Sequence, residues 1–296
     1  MPPIGIVSVN KPPGMTSRRV VDLVLRQVRP AKVGHAGTLD PLASGVLVVC
    51  IGKATRLVEY VQRMPKHYQA TFLLGRRSPS DDVETEVTQL DDPPRPSPEQ
   101  LAQAVATSTG TIEQRPPPYS AVKIGGQRAY KLARRGLEVA IRPRRVIIHA
   151  LRVTAYTYPR LELDIQCSGG TYVRSLGRDL AESLGSAAVM EALVRTAVGP
   201  FRLDAACPID QLVPDRMGAW LRPPADAVCD LPTVQVSEGE VRDLSQGKEI
   251  AGRDVALVEA EELAAVDQRG QLVAIVRSVP ERGMLRPSKF LLPVVP

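Results

Sequence analysis

The apolar residues of this chain come in short runs, and the longest covers only residues 46–51. A bilayer-spanning helix needs roughly 20, so a membrane bundle is excluded. A six-residue apolar run between Gly45 and Gly52 reads instead as a strand buried on both faces. The composition is 44% hydrophobic and 24% charged, which is that of a globular protein. Only 4% is aromatic, so Val, Leu, Ile and Ala must fill the core. At 296 residues the chain has room for two domains, on a prior of ~150 residues each. Cys50, Cys167, Cys207 and Cys229 form no C-x-x-C pair, and His35, His67 and His149 are scattered. Neither a zinc site nor a disulfide framework is expected, and the expected compartment is the reducing cytoplasm. Met1-Pro2-Pro3-Ile4 has no basic or long apolar stretch, so no secretory signal is expected.

Along the chain, residues 4–9 read as a buried strand. Thr16 or Ser17 caps a helix with Val20, Val21, Val24 and Val28 on one face. A glycine-rich loop, 34–45, precedes the apolar strand, and 54–64 looks helical. Tyr68, Ala70, Phe72 and Leu74 alternate as in a half-buried strand. Residues 75–96 are polar and proline-rich, an irregular hairpin or loop. Ser97-Pro98-Glu99-Gln100 is a capped helix start, and that helix should stop at Gly110. Strands are expected over 146–156 and 161–167. A turn at 168–170 then leads into a helix aligning Val173, Leu176, Leu180 and Leu184, and a second short helix should cover 187–194. Beyond Asp230 the texture changes to short strands (233–236, 255–258, 271–276, 289–292) with one helix at 238–246. Residues 1–230 and 231–296 are therefore read as two domains.

Charge is concentrated. Residues 1–230 hold 30 basic and 22 acidic side chains, whereas 231–296 hold 8 and 10. Within 114–145 lie nine basic residues: Arg115, Lys123, Arg128, Lys131, Arg134, Arg135, Arg142, Arg144 and Arg145. Only Glu138 opposes them. Such a run is often just a solvated face. Here Gly125-Gly126 and the prolines make it a mobile element, and Tyr119 and Tyr130 interleave with the charges. That combination suits a phosphate backbone and unpaired bases, with RNA favoured over DNA.

The segment Gly34-His35-Ala36-Gly37-Thr38-Leu39-Asp40-Pro41-Leu42-Ala43-Ser44-Gly45 concentrates glycine, one His and one Asp. By itself Asp40-Pro41 is an ordinary Asx turn. Two other patterns are misleading. Gly45 to Gly52-Lys53-Ala54-Thr55 has six residues between glycines where a phosphate-binding loop needs four. Ser120-Ala121-Val122-Lys123 has the S-x-x-K of serine acyl-enzymes without their companion motifs.

Together with five further blocks, residues 34–45 resemble the TruB-type tRNA pseudouridine-55 synthases. The blocks occur in the family's order. Asn10-Lys11-Pro12-Pro13-Gly14 is similar to its K-P-x-G motif, and Lys66-His67-Tyr68 to the segment bearing its active-site tyrosine. Pro118-Tyr119-Ser120-Ala121-Val122-Lys123 is similar to P-x-Y-S-A-x-K. Gly170-Thr171-Tyr172-Val173-Arg174 is similar to G-T-Y-I-R, and Leu193-Val194-Arg195 to L-R-R. The likeness runs over about 4–205.

The resemblance implies an α+β pseudouridine synthase fold with a large mixed, mainly antiparallel sheet, followed by a small β-rich PUA-like domain at 231–296. It implies conversion of the T-arm uridine of tRNA to pseudouridine, without cofactor or metal, by a cytoplasmic monomer that uses neither DNA nor membrane. Asp40 would act on the ribose as nucleophile or by assisting a glycal intermediate. Arg174 would pair with Asp40 and keep it ionised, and Tyr68 would stack on the target base. His35 would occupy the place of the flipped base, Tyr172 and Leu193 would line the pocket, and Lys11 would be a phosphate or loop contact. Tyr119, Lys123, Arg128, Lys131, Arg134 and Arg135 belong to the thumb-like insertion (114–145) that would grip the T arm. The chain departs from the family pattern at Ser78-Pro79-Ser80-Asp81-Asp82-Val83-Glu84-Thr85. It keeps Asp82 there but loses an acid to Pro79 and a glycine to Thr85. Val194 replaces the first Arg of L-R-R. These changes put the local loop geometry in question.

Overall fold

The structure is a computed structural model of the chain. It describes residues 3–292 apart from 121, 134, 138, 139 and 253–260, and of Lys123 the backbone alone. Strand β1 (Gly5–Lys11) leads into helix α1 (Ser17–Val28), capped by Thr16, whose hydroxyl accepts the Arg19 N–H at 3.2 Å. The four valines expected on one face are all buried. Strands β2 (Val33–His35) and β3 (Ser44–Ile51) flank the glycine-rich loop. The next segment starts as a 3-10 turn (Gly52–Leu57) and becomes helical only in α2 (Val58–Arg63). Strand β4 (Lys66–Leu74) follows, then the small hairpin of β5 (Arg76–Arg77) and β6 (Thr88–Gln89). Helix α3 (Pro98–Thr107) carries the full Ser97/Gln100 capping box. It ends three residues before Gly110, which instead opens strand β7 (Gly110–Gln114).

In the basic insertion, β8 (Lys123–Ile124) and β9 (Gln127–Arg128) pair across Gly125-Gly126 and run into α4 (Ala129–Ala133). Then come β10 (Arg144–Thr157), β11 (Arg160–Cys167), α5 (Val173–Ser183) and β12 (Ala188–Val198). The short β13 (Phe201–Arg202), β14 (Cys207–Pro208) and α6 (Pro214–Met217) complete this part.

These strands form a ten-stranded sheet in the order β14-β1-β3-β12-β4-β11-β10-β7, with β2 on β3 and β13 on β12. Every pair is antiparallel except β1/β14 and β3/β12. The second helix expected over 187–194 is therefore wrong: that segment is β12, in the middle of the sheet. Two register shifts against β4, between Met190 and Ala192 and between Arg195 and Ala197, break its in–out alternation. A bulged strand does not show a period of two, and its Ala, Leu, Met and Glu content favours a helix in isolation.

Helices α1, α3 and α5 pack one face of the sheet, with Val24, Leu101, Leu176 and Leu180 in its largest core. Strand β3 is buried on both sides, as its unbroken apolar run requires: Leu47, Val49 and Ile51 face that core, and Val46, Val48 and Cys50 face a second one.

The C-terminal part contains β15 (Thr233–Gln235), α7 (Glu238–Ser245), β16 (Ile250–Ala251), β17 (Glu262–Val266), β18 (Leu272–Val279) and β19 (Met284–Phe290). They form a five-stranded sheet in the order β15-β17-β18-β19-β16. The strand expected at 255–258 lies outside the described residues. The last strand ends at Phe290, and β17 was not foreseen. The second core crosses between the two sheets: Ala264, Leu272, Ile275 and Leu291 pack with Ile6, Val48 and Val61. Polar contacts reinforce it, with Tyr60 donating to Glu262 at 2.9 Å and Lys289 pairing with Glu59 at 2.6 Å. Among the described residues no helix is long and apolar enough to cross a membrane.

Candidate active site

Asp40 sits on the loop between β2 and β3, and that loop is tied down on every side. The Ser17 hydroxyl, at the start of α1, donates to the Leu39 carbonyl and accepts the Leu39 N–H, both at 2.9 Å. Gly14 N–H bonds the Pro41 carbonyl at 2.8 Å. Leu42 N–H donates to Glu84 at 3.1 Å. Arg195, from β12, donates Nε to Val46 O at 2.7 Å and Nη2 to Gly37 O at 3.0 Å. Gly45 closes the loop at φ +99°, where a Cβ would lie 2.3 Å from the Arg195 carbonyl oxygen. No other residue fits between these two backbones.

Lys11 is fully buried, and its ammonium donates to the carbonyls of Pro12 (3.0 Å), Met15 (2.5 Å) and Pro41 (3.3 Å). In this geometry its ammonium is a loop contact, through Pro41. Burial pulls its pKa down to about 8, against the opposing pull of Asp40.

Arg174 projects from the first turn of α5 and is only 5% exposed. Its Nε lies 3.0 Å from Asp40, and its Nη1 lies 3.2 Å from Asp82, an acid only 1% exposed. It also donates to the Ser80 carbonyl (2.7 Å) and the Tyr119 carbonyl (3.0 Å). One guanidinium thus serves two carboxylates. Asp40 does pair with Arg174 as expected, but its net pKa shift is upward. Burial dominates, Arg174 opposes it, and Asp82 adds to it, while Lys11 and Arg195 act with Arg174.

Asp82 is further held by the Ser80 hydroxyl and the Glu84 N–H (3.0 Å). The altered segment at 78–85 keeps its shape through its own residues, with Thr85 bonding Ser80 between hydroxyls at 2.7 Å.

These groups line an open cavity of about 950 Å³. Tyr68 reaches it from β4 and is nearly buried. Burial raises its phenol pKa, and Arg195 counteracts. Tyr172 and Leu193 also line it, as do Tyr119 and Tyr130 from the basic insertion. Gln114 fixes Tyr172 by accepting its N–H at 2.7 Å and donating to its carbonyl at 3.0 Å. Arg144 stacks on the Tyr172 ring at 4.5 Å, a cation–π contact. His35 lies off the cavity wall at the end of β2. Burial and Arg195 lower its pKa, leaving it neutral at pH 7, and its Nδ1 is enclosed without a hydrogen-bond partner. Arg128, Lys131 and Arg135 are exposed. Lys123 lies in β8, and Arg134 lies outside the described residues.

The site also holds residues that were not assigned a role from the sequence: Asp82, Glu84, Arg195 and Arg144. Asp82 and Arg195 stood within recognisable blocks. Their positions flanking the Asp40 loop depend on long-range pairings, Asp82 with Arg174 and Arg195 with Val46 and Gly37, and these the sequence does not display.

Residues 25–173 match the TruB family pseudouridylate synthase N-terminal domain. Over 97% of its length the chain is 41% identical to the tRNA pseudouridine synthase B of Moorella thermoacetica, covering 99% of that protein. The chain belongs to the TruB family of pseudouridine synthases. An Arthrobacter member, also named tRNA pseudouridine synthase B, is 40% identical, with 92% of each chain covered. Among solved structures, a Cbf5-Nop10-Gar1 complex contains a chain with TM-score 0.74 and 25% identity, covering 98% of this chain and 85% of that one. An H/ACA RNP bound to a substrate RNA containing 2′-deoxyuridine gives TM-score 0.72 at 23% identity and similar coverage. The TruB-type α+β fold, with its large mixed sheet and a β-rich C-terminal part, is thus common to these proteins and this chain.

Proposed function

We propose that this TruB-family chain converts the uridine at position 55, in the T loop of tRNA, to pseudouridine. The observation that carries the reading is the Asp40 carboxylate, paired with Arg174, in a cavity walled by Tyr68, Tyr119, Tyr130 and Tyr172. The isomerisation breaks the bond from uracil N1 to the ribose anomeric carbon and forms one from C5. The C5 proton is lost and N1 gains one, so no electrons are exchanged and no cofactor enters the scheme. Asp40 acts on the sugar, as nucleophile or by assisting a glycal intermediate, and both routes need it ionised. Arg174 orients it. Tyr68 stacks on the base.

A base stacked within a folded T arm has to leave the stack to reach Asp40, and His35 fills the vacated place. Tyr172 and Leu193 line the base pocket. The insertion at 114–145 grips the T-arm phosphates through Lys123, Arg128, Lys131, Arg134 and Arg135. The protein acts as a cytoplasmic monomer, without DNA or membrane.

The test incubates the protein and Asp40→Asn with an unmodified tRNA transcript and maps pseudouridine by carbodiimide-blocked primer extension. The expected result is a stop for position 55 with the parent and none with the variant. A parent that binds the transcript and makes no pseudouridine is an RNA-binding or tRNA-folding protein, and the reading fails. Product from Asp40→Asn at the parental rate removes Asp40 from its role.

A further inference from the structure

We propose that Arg178, together with Asp81, is a positioning residue for this reaction. The pair fixes the segment carrying Asp82 and the root of the basic insertion, and so sets how Arg174 is shared between Asp82 and Asp40. The inference rests on the reading of Asp40 given above.

Arg174 and Arg178 stand one turn apart on α5 and project to the same side. Their acid partners are adjacent in sequence. Arg174 takes Asp82, and Arg178 takes Asp81 at 2.8 Å. To send neighbouring carboxylates to successive turns, the backbone at Asp81 adopts φ +59°, in the left-handed region that Asp tolerates better than most side chains. Contacts on both sides hold that conformation. The Arg178 pair does so on the side-chain side. On the backbone side, Met190 N–H donates to Asp81 O at 3.0 Å and Val83 N–H to Met190 O at 3.1 Å.

Arg178 also donates to the Arg115 carbonyl at 3.0 Å, where the Ser175 hydroxyl donates at 2.9 Å. Arg174 donates to Tyr119 O. Both ends of 115–119, where the insertion leaves the fold, are therefore tied to α5 by the two arginines. The family's usual acidic pattern is broken at Pro79 and Thr85. The Asp81–Arg178 pair and the Ser80–Thr85 bond are the local contacts that hold the segment instead.

The charged groups acting on Asp40 are Arg174, Asp82, Lys11 and Arg195. Those acting on Asp81 are Arg178, Arg174 and Asp179. Asp82 faces Arg174 and Glu84. If the Asp81 anchor is cut, the segment retreats with Asp82, and Arg174 is left to Asp40 alone. A carboxylate with an undivided guanidinium ionises at lower pH.

The experiment compares the parent, Asp81→Asn, Arg178→Lys, Arg178→Ala and the Asp81→Asn/Arg178→Ala double variant. Single-turnover rates with saturating tRNA transcript are measured across the acidic limb of the pH profile, alongside thermal midpoints. The expected result is a rate about tenfold lower or more at neutral pH, as small displacements of reacting groups produce. The acidic limb moves to lower pH, and the double variant is no slower than the slower single, since both cuts break the same Asp81–Arg178 contact. Parental rate and limb in the folded variants overturn the proposal. So does a lowered thermal midpoint with an unmoved acidic limb, because that is a purely structural contact. Should Arg178→Ala fail to fold, the near-isosteric Asp81→Asn and the charge-keeping Arg178→Lys decide by the same criteria. Asp40→Asn is run beside them: if it keeps activity, the underlying reading fails, and if it is dead while the Asp81 and Arg178 variants are parental, this inference alone fails.

Discussion

A single buried guanidinium with two acids fixes the chemistry available at Asp40. Asp40 is a third exposed, while Arg174 and Asp82 are almost entirely enclosed. Removing Arg174 strands Asp82 in the interior without a counter-charge. Arg174→Ala should therefore lose about 3–5 kcal/mol of unfolding free energy in a urea titration at pH 7. The raised pKa of Asp40 sets the pH dependence. In the function proposed above the ionised form is the active one, so the acidic limb of the single-turnover rate should lie above the unperturbed carboxyl value of 3.8. Lys11 behaves in the opposite sense. Its folded pKa of about 8 lies below its ordinary 10.5, so the unfolded chain binds more protons between these values. Its contribution to stability therefore rises with pH across that window. Urea midpoints from pH 8 to 10 should climb less steeply in Lys11→Met than in the parent. At this scale the sequence was informative where a motif marks a residue that reaches the cavity, as for Asp40, Tyr68 and Arg174. It was silent on Asp82's share of Arg174, because that depends on a hydrogen-bonded turn folding 92 residues away onto α5.

Elements whose packing follows one simple period were readable from sequence alone. The valine stripe of α1, the capping box of α3 and the alternation in β4 each record a local rule. Strand β12 obeys none over its length, because its two bulges interrupt the alternation on either side of the stretch from which Leu193 and Arg195 reach the cavity. The contact between α5 and the sheet has its own signature. A Cβ at Gly177 would lie 2.0 Å from the Phe72 ring, so the helix carrying Arg174 can approach β4 only with glycine there. Gly177→Ala should cost about 1–3 kcal/mol through overpacking, read as a lower thermal midpoint, and should slow catalysis by lifting Arg174 away from Asp40.

At the scale of the whole molecule, sequence texture and packing divide the chain differently. The change to short strand-like segments suggested a break near Asp230, and the second sheet does begin at Thr233. Yet the core behind β3 is completed by Ala264, Leu272, Ile275 and Leu291, so the two sheets share this apolar cluster, beside a separate one that the C-terminal sheet forms with Val236 and Leu244. Calorimetry on the full chain should show one cooperative unfolding transition, because neither part keeps its apolar face dry alone. Composition could not reveal this: it reports how apolar each segment is, not which segment covers which. The parallel pairing of β3 with β12 brings together residues about 150 positions apart, Ser44 with Val194 and Gly45 with Arg195. Loop closure on that scale is slow. During synthesis the cavity therefore cannot exist until β12 has emerged. Until then β3 and β4 both present open edges, which are templates for pairing with other chains. The protein is most exposed to aggregation at the stage just before its catalytic site closes, and a translational pause shortly upstream of residue 188 would prolong it.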